Sequence, residues 1–144
     1  MLTYLLSALA ISLGINILGF IVAYRLKTDK LTDFSYALSF VIINLVAYIK
    51  TGNYNLQNAV LFWLICMWAA RLGTYLVVRI KKWGRDKRFD EVRNNFTKFL
   101  QFWVFQAITV WVVSISSLQF YKLNTESNFK VVTILGLLIF FKGL

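Results

Sequence analysis

Four stretches of this chain run for sixteen residues or more with little or no charge, and that pattern decides which solvent the chain can fold in. Leu2–Tyr24 holds no Asp, Glu, Lys or Arg; Phe34–Ile49 is opened by Asp33, Ala59–Ile80 is interrupted by Arg71, and Phe99–Tyr121 is uncharged. A helix rises about 1.5 Å per residue, so roughly 20 apolar residues cross a hydrocarbon core of about 30 Å. A soluble domain would need charged faces on most of its helices. Here only 15% of the 144 residues are charged, against 59% apolar, and the charge is collected between the runs. In a bilayer each backbone polar group must be satisfied within its own segment, which for such runs means helices. The expected fold is all-α: a polytopic bundle of four full transmembrane helices within one membrane domain, residues 1–144.

A fifth apolar run begins at Val131 and reaches Phe141 before Lys142. At helical rise it is too short to span, so it is expected to be re-entrant or the beginning of a longer helix. Leu2–Tyr24 lacks the basic start, short apolar centre and small-residue cleavage site of a signal peptide, and reads as a retained first helix.

Lys and Arg are divided unequally among the connectors. Arg25, Lys27 and Lys30 follow the first run, and Arg79, Lys81, Lys82, Arg85, Lys87, Arg88, Arg93 and Lys98 follow the third; the alternate connectors carry Lys50, Lys122 and Lys130. Eleven against three predicts basic connectors in the cytoplasm and an N-terminus outside. The same distribution places the net charge of +10 at lipid headgroups rather than on a nucleic-acid-binding surface.

There is no histidine and one cysteine, Cys66. That excludes an internal disulfide, Ser-His and Cys-His nucleophiles, and the Cys/His sets that hold zinc, iron–sulfur clusters or c-type haem. Cys66 is expected to pack, and any acid–base chemistry must use Asp, Glu, Tyr, Lys or a cofactor.

Arg71, Tyr75 and Arg79 stand at i, i+4 and i+8, along one face of the third helix. A charge in hydrocarbon costs at least about 2.5 kcal/mol on insertion scales, so Arg71 is expected to face protein or a water-filled pocket. Two planar guanidinium forks on one face suit a multiply charged anion. The alternative is structural, with Arg71 snorkelling to the boundary or pairing with Asp33. Asp33 in turn is either a site acid or the cap of the second helix. The segment KKWGRDKRFDEVR (81–93) is, on physical grounds alone, a headgroup-facing loop with internal ion pairs.

Four segments, KLTDFSYALSF (30–40), WAARLGTYLVVRI (68–80), GRDKRFDEVR (84–93) and FWVFQAITVWVVSI (102–115), resemble in residues, order and spacing the bacterial branch of unknown substrate in the steroid 5-alpha-reductase-like membrane superfamily. The resemblance covers the chain from about residue 25 and corresponds to the family's N-terminal portion. Tyr36 stands where many relatives have tryptophan and Ser117 where a proline is frequent. The family's C-terminal motif of the Ser-Arg-His-Pro-Asn-Tyr type is not in this sequence, so the chain is expected to be a fragment, inactive by itself.

The resemblance implies an NADPH-dependent enzyme of a bacterial inner membrane that reduces an activated C=C bond in a steroid, isoprenoid or other lipid-like substrate, with the cofactor held from the cytoplasmic side. Carried onto this chain, it implies that Arg71, Arg79, Asp86 and Arg88 bind the cofactor. It implies also that Asp33 and Tyr75 are catalytic, on the side of the substrate carbonyl, where a hydrogen-bond donor stabilises developing oxyanion charge. Two other readings stay open: a methyltransferase of the isoprenylcysteine carboxyl type using S-adenosylmethionine, and a non-catalytic accessory protein that packs against other helices. A small multidrug transporter is disfavoured, because its proton coupling needs an acid in the first helix and Leu2–Tyr24 has none.

Overall fold

The computed structural model describes residues 2–28, 30–83, 95–123 and 131–143, and helices make up all of its regular structure among these residues. The helices are α1 (Leu2–Arg25), α2 (Lys30–Thr51), α3 (Leu56–Trp83), α4 (Phe96–Leu123) and α5 (Val131–Gly143). The first four are long and apolar enough to cross a membrane. All four expected runs are found as helices, α1 longer by Arg25 alone and the other three extended by two to four residues at each end. The protein is an integral membrane protein, and α5, with 13 residues, has about two thirds of the length a span requires.

Local chemistry sets the ends. At the end of α1, Lys27 takes a left-handed φ of 48° while the Thr28 N–H donates to the Ala23 carbonyl at 3.0 Å, the six-to-one bond of a Schellman turn. After α2 the chain turns through Gly52 at φ 63°, where a residue without Cβ adopts the left-handed region freely. Asn55 and Asn95 open α3 and α4, each side-chain oxygen accepting the backbone N–H three residues on, from Asn58 at 2.8 Å and Lys98 at 3.1 Å.

Helix α2 is the hub, packed against α1, α3 and α4, while α1 also lies along α4. Its burial follows from that position: Thr32, Ser35, Ala37, Ser39, Phe40, Ile43, Asn44 and Ala47 are all buried, on more than one face. By contrast α4 buries one stripe, Phe99, Trp103, Gln106, Val110, Ser114, Leu118 and Tyr121, at the three- and four-residue spacing of a helix with one protein face. Helix α3 rests on α2 and barely meets α4.

The core is layered along the membrane normal. Toward the basic end, Phe20, Ala23, Phe99 and Trp103 form one apolar cluster. Toward the other end, Ala8, Phe40, Ile43, Ala47, Val110, Leu118 and Tyr121 form a second. Between them lies a polar layer. Asn16 Nδ2 donates to the Ser12 carbonyl at 2.9 Å and to Ser39 Oγ at 3.1 Å, and Gln106 Nε2 donates to Asn16 Oδ1 at 3.1 Å and to the Thr32 carbonyl at 2.8 Å. Ser12 Oγ adds a bond to the Ala107 carbonyl at 2.8 Å, which requires the α1 and α4 backbones to approach closely. Small residues allow that approach: a Cβ on Gly19 would lie 2.5 Å from the Trp103 ring and 2.7 Å from Ser35 Oγ.

Two measurements follow from this core. Gly19→Ala lowers stability by about 1–3 kcal/mol, because Trp103 is fully buried and has nowhere to move. Gly14→Ala, whose Cβ meets nothing within 4 Å, leaves stability unchanged or slightly raised. Unfolding in mixed detergent micelles compares the two, and equal behaviour would remove the Gly19–Trp103 contact from the account. Separately, the double-mutant cycle of Asn16→Ala and Gln106→Ala gives a coupling of about 0.6–1.7 kcal/mol, the range of interhelical hydrogen bonds in membranes.

Candidate functional site

The basic connectors bring the starts of α2 and α4 and the ends of α1 and α3 to one end of the bundle. There α2 and α3 are joined by an ion pair, Arg79 Nη2 to Asp33 Oδ2 at 3.1 Å, with the two side chains 34% and 24% exposed. Helix α2 begins four residues earlier than the apolar run predicts, at Lys30, so Asp33 lies within its first turn and not at its cap. The carboxylate reaches across to α3. In the structural alternative Arg71 would pair with Asp33, but Arg71 is two turns deeper, and Arg79 forms the pair instead. Just below the pair, Gly73 lets α3 approach α2, where an added Cβ would stand 3.3 Å from that of Ala37.

Arg71 is exposed, and its Nη1 donates to the Gly143 carbonyl of α5 at 2.7 Å. A cation suits that position, because the last carbonyls of a helix carry its negative partial charge. Tyr75, one turn further on, is 63% exposed. Of the stripe on α3, then, Arg79 turns toward the bundle while Arg71 and Tyr75 stand on its outer side. The structure brings Asp33 and Arg79 together, and leaves Tyr75 and Arg71 further along the same helix. Asp86 and Arg88 lie outside the described residues. Exposed Lys81 and Lys82 prolong the cationic face at the end of α3.

A second feature lies toward the opposite end. Because α3 and α4 diverge, a cleft of about 400 Å³ opens between them, floored by Phe40 and Asn44 of α2. Leu61, Ile65 and Trp68 line it from α3, and Val113, Ser114, Ser117 and Phe120 from α4. Phe40 and Trp68 meet edge to face at 5.1 Å. Ser117 Oγ lies 2.6 Å from Asn44 Oδ1 and 2.9 Å from the Ser114 carbonyl, while Asn44 Nδ2 donates to the Phe40 carbonyl at 2.9 Å.

Sequence reasoning passed over these interior polar residues. Each is a single Ser, Asn or Gln in a long apolar run, too weak a signal to mark a site. Their shared face was nevertheless legible, since Ser12 and Asn16 are four apart on α1, as Ser35 and Ser39 are on α2.

The double-mutant cycle of Asp33→Asn and Arg79→Gln should return a coupling of about 0.5–1 kcal/mol, the upper range for a partly solvated pair. Each single change leaves one charge without its partner, so the doubly substituted protein loses less stability than the sum of the two. Zero coupling in detergent unfolding would mean that the pair does not hold α3 to α2.

Comparison with known proteins matches residues 19–144 to a family model described as a protein of unknown function (DUF1295). No curated protein and no solved structure matches the chain.

Proposed function

The chain belongs to the DUF1295 family, and from that membership we propose that it serves as an NADPH-dependent membrane reductase of an activated C=C bond in a lipid-like substrate. The family is associated with steroid 5-alpha-reductase-like proteins, which supports the reading. The observation that carries it is the Arg79–Asp33 ion pair, 3.1 Å long, which sets a guanidinium beside a carboxylate where the end of α3 meets the start of α2.

The donor set fits the proposed cofactor. A dinucleotide phosphate is a chain of anionic oxygens, and guanidinium forks bind such oxygens bidentately while remaining charged. Arg71 and Arg79 hold the phosphates, with Asp86 and Arg88 closing over them as the resemblance implies. The Arg79 Nη2 donates to the Asp33 carboxylate, which orients the Arg79 fork and ties α2 to α3. The Tyr75 hydroxyl donates to the substrate carbonyl oxygen, where negative charge accumulates as the double bond is reduced. NADPH, when bound, supplies the hydride. With the basic connectors in the cytoplasm, the cofactor enters from that side.

Titration of the purified, detergent-solubilised chain with NADPH, followed by cofactor fluorescence, tests this. Saturable binding is expected, with Arg71→Ala and Arg79→Ala each weakening it about tenfold or more, since a hydrogen bond to a charged group contributes roughly 1.5–3 kcal/mol. Binding indifferent to both substitutions would end the assignment of the stripe. Saturable binding of S-adenosylmethionine in place of NADPH would shift the reading to methyl transfer, and binding of neither to an accessory role.

A further inference from the structure

Helix α5 is held differently from the other four. It is apolar on every side, with Ile134, Leu135, Leu138, Ile139 and Phe141 all exposed, so no stripe of it is directed at a neighbour. The packed helix pairs join α1, α2, α3 and α4, and α5 belongs to none of them. Among the described residues its tie to α3 is a hydrogen bond from Arg71 Nη1 to the Gly143 carbonyl, 2.7 Å long. In hydrocarbon an apolar helix gains little from touching another helix rather than lipid. Helix α5 therefore stays on α3 for as long as Arg71 keeps that carbonyl. Its release into lipid strands few polar groups, because most of its backbone is satisfied by its own helical bonds. At the end that is freed, Lys142 stands in the last turn and leaves the carbonyls a cation of their own.

The guanidinium that holds α5 is also one that the cofactor reading gives to phosphate, and the two acceptors differ in kind. A carbonyl is neutral, whereas a phosphate brings full charge and paired oxygens that match the planar fork. The end of a helix carries negative partial charge, which repels an approaching anion. We propose that α5 is a latch on the cofactor site: its Gly143 carbonyl and the dinucleotide phosphate compete for Arg71, so that cofactor binding frees α5 from α3. The inference rests on the assignment of Arg71 to the phosphate. The coupling is reciprocal, so the attached α5 lowers cofactor affinity by the same factor as the cofactor loosens α5. The anion wins at saturation, because its bonds to the guanidinium are the stronger ones.

The test measures the distance between α3 and α5 by double electron–electron resonance on the full chain in lipid nanodiscs. Spin labels are placed at Met67→Cys and Leu138→Cys, both exposed positions, with Cys66→Ser removing the native thiol. Cofactor fluorescence is followed on the same samples. NADPH is expected to lengthen and broaden the distance, with its midpoint at the concentration that half-saturates binding. Labels on α1 and α4, at Leu18→Cys and Val112→Cys, keep their separation. Arg71→Ala gives the long, broad distance without NADPH. In Arg71→Lys an ammonium still bonds the carbonyl but lacks the fork, so the distance stays short and several-fold more NADPH is needed to lengthen it. Should Arg71→Ala fail to fold, Arg71→Lys alone decides. Saturable, Arg71-dependent binding with an unchanged distance overturns the latch and leaves the cofactor reading standing, and a short distance in Arg71→Ala does the same. If the unlabelled chain binds no NADPH, the cofactor reading falls and the latch with it.

Discussion

In hydrocarbon the apolar faces of helices have no reason to prefer one another over lipid, so the bundle depends on what lipid cannot supply. Here that is the polar layer formed by Ser12 and Asn16 of α1, Thr32 and Ser39 of α2, and Gln106 of α4. Each bond in it is modest by itself. Together they give the three helices one rotation and one depth, because a shift of any helix by a turn would strand an amide in an apolar environment. The close contact of Gly19 with Trp103 sets the spacing that makes those bonds possible.

The remaining architecture follows from which helices the layer joins. It ties α1, α2 and α4, and contributes nothing to α3. That helix is held to α2 by other means: the Asp33–Arg79 ion pair at the basic end, the near approach at Gly73, and the packing of Trp68 on Phe40. Since those contacts engage α2 and hardly α4, a cleft is left on the far side of α3. Cationic side chains and an apolar wall are thereby placed at different depths on the same helix. Toward the basic end, α3 presents guanidiniums; toward the other end, Leu61, Ile65 and Trp68 line an apolar wall.

Arg71 joins the two regions. Buried in lipid without a partner, a guanidinium would be costly, and a helix-end carbonyl from α5 offsets part of that cost. The reading of Arg71 as a partner for Asp33 failed for a geometric reason. The pairing must join residues at the same depth on antiparallel helices. Asp33, four residues into α2, is level with Arg79 near the end of α3, not with Arg71 two turns away.

Much of this protein was legible from residue order alone. The four spans, their alternation and the clustering of basic residues follow from hydropathy and charge, because the thickness of a bilayer and the cost of charge within it act on each segment separately. The stripe of Arg71, Tyr75 and Arg79 likewise needs nothing beyond helical periodicity. What a single segment does not contain is the identity of its neighbours. That Gln106 reaches Asn16, that Arg79 rather than Arg71 meets Asp33, and that a cleft is left between α3 and α4 all depend on the relative rotation and depth of helices far apart in sequence. Those are set by interhelical hydrogen bonds and close packing, and only the tertiary structure decides them.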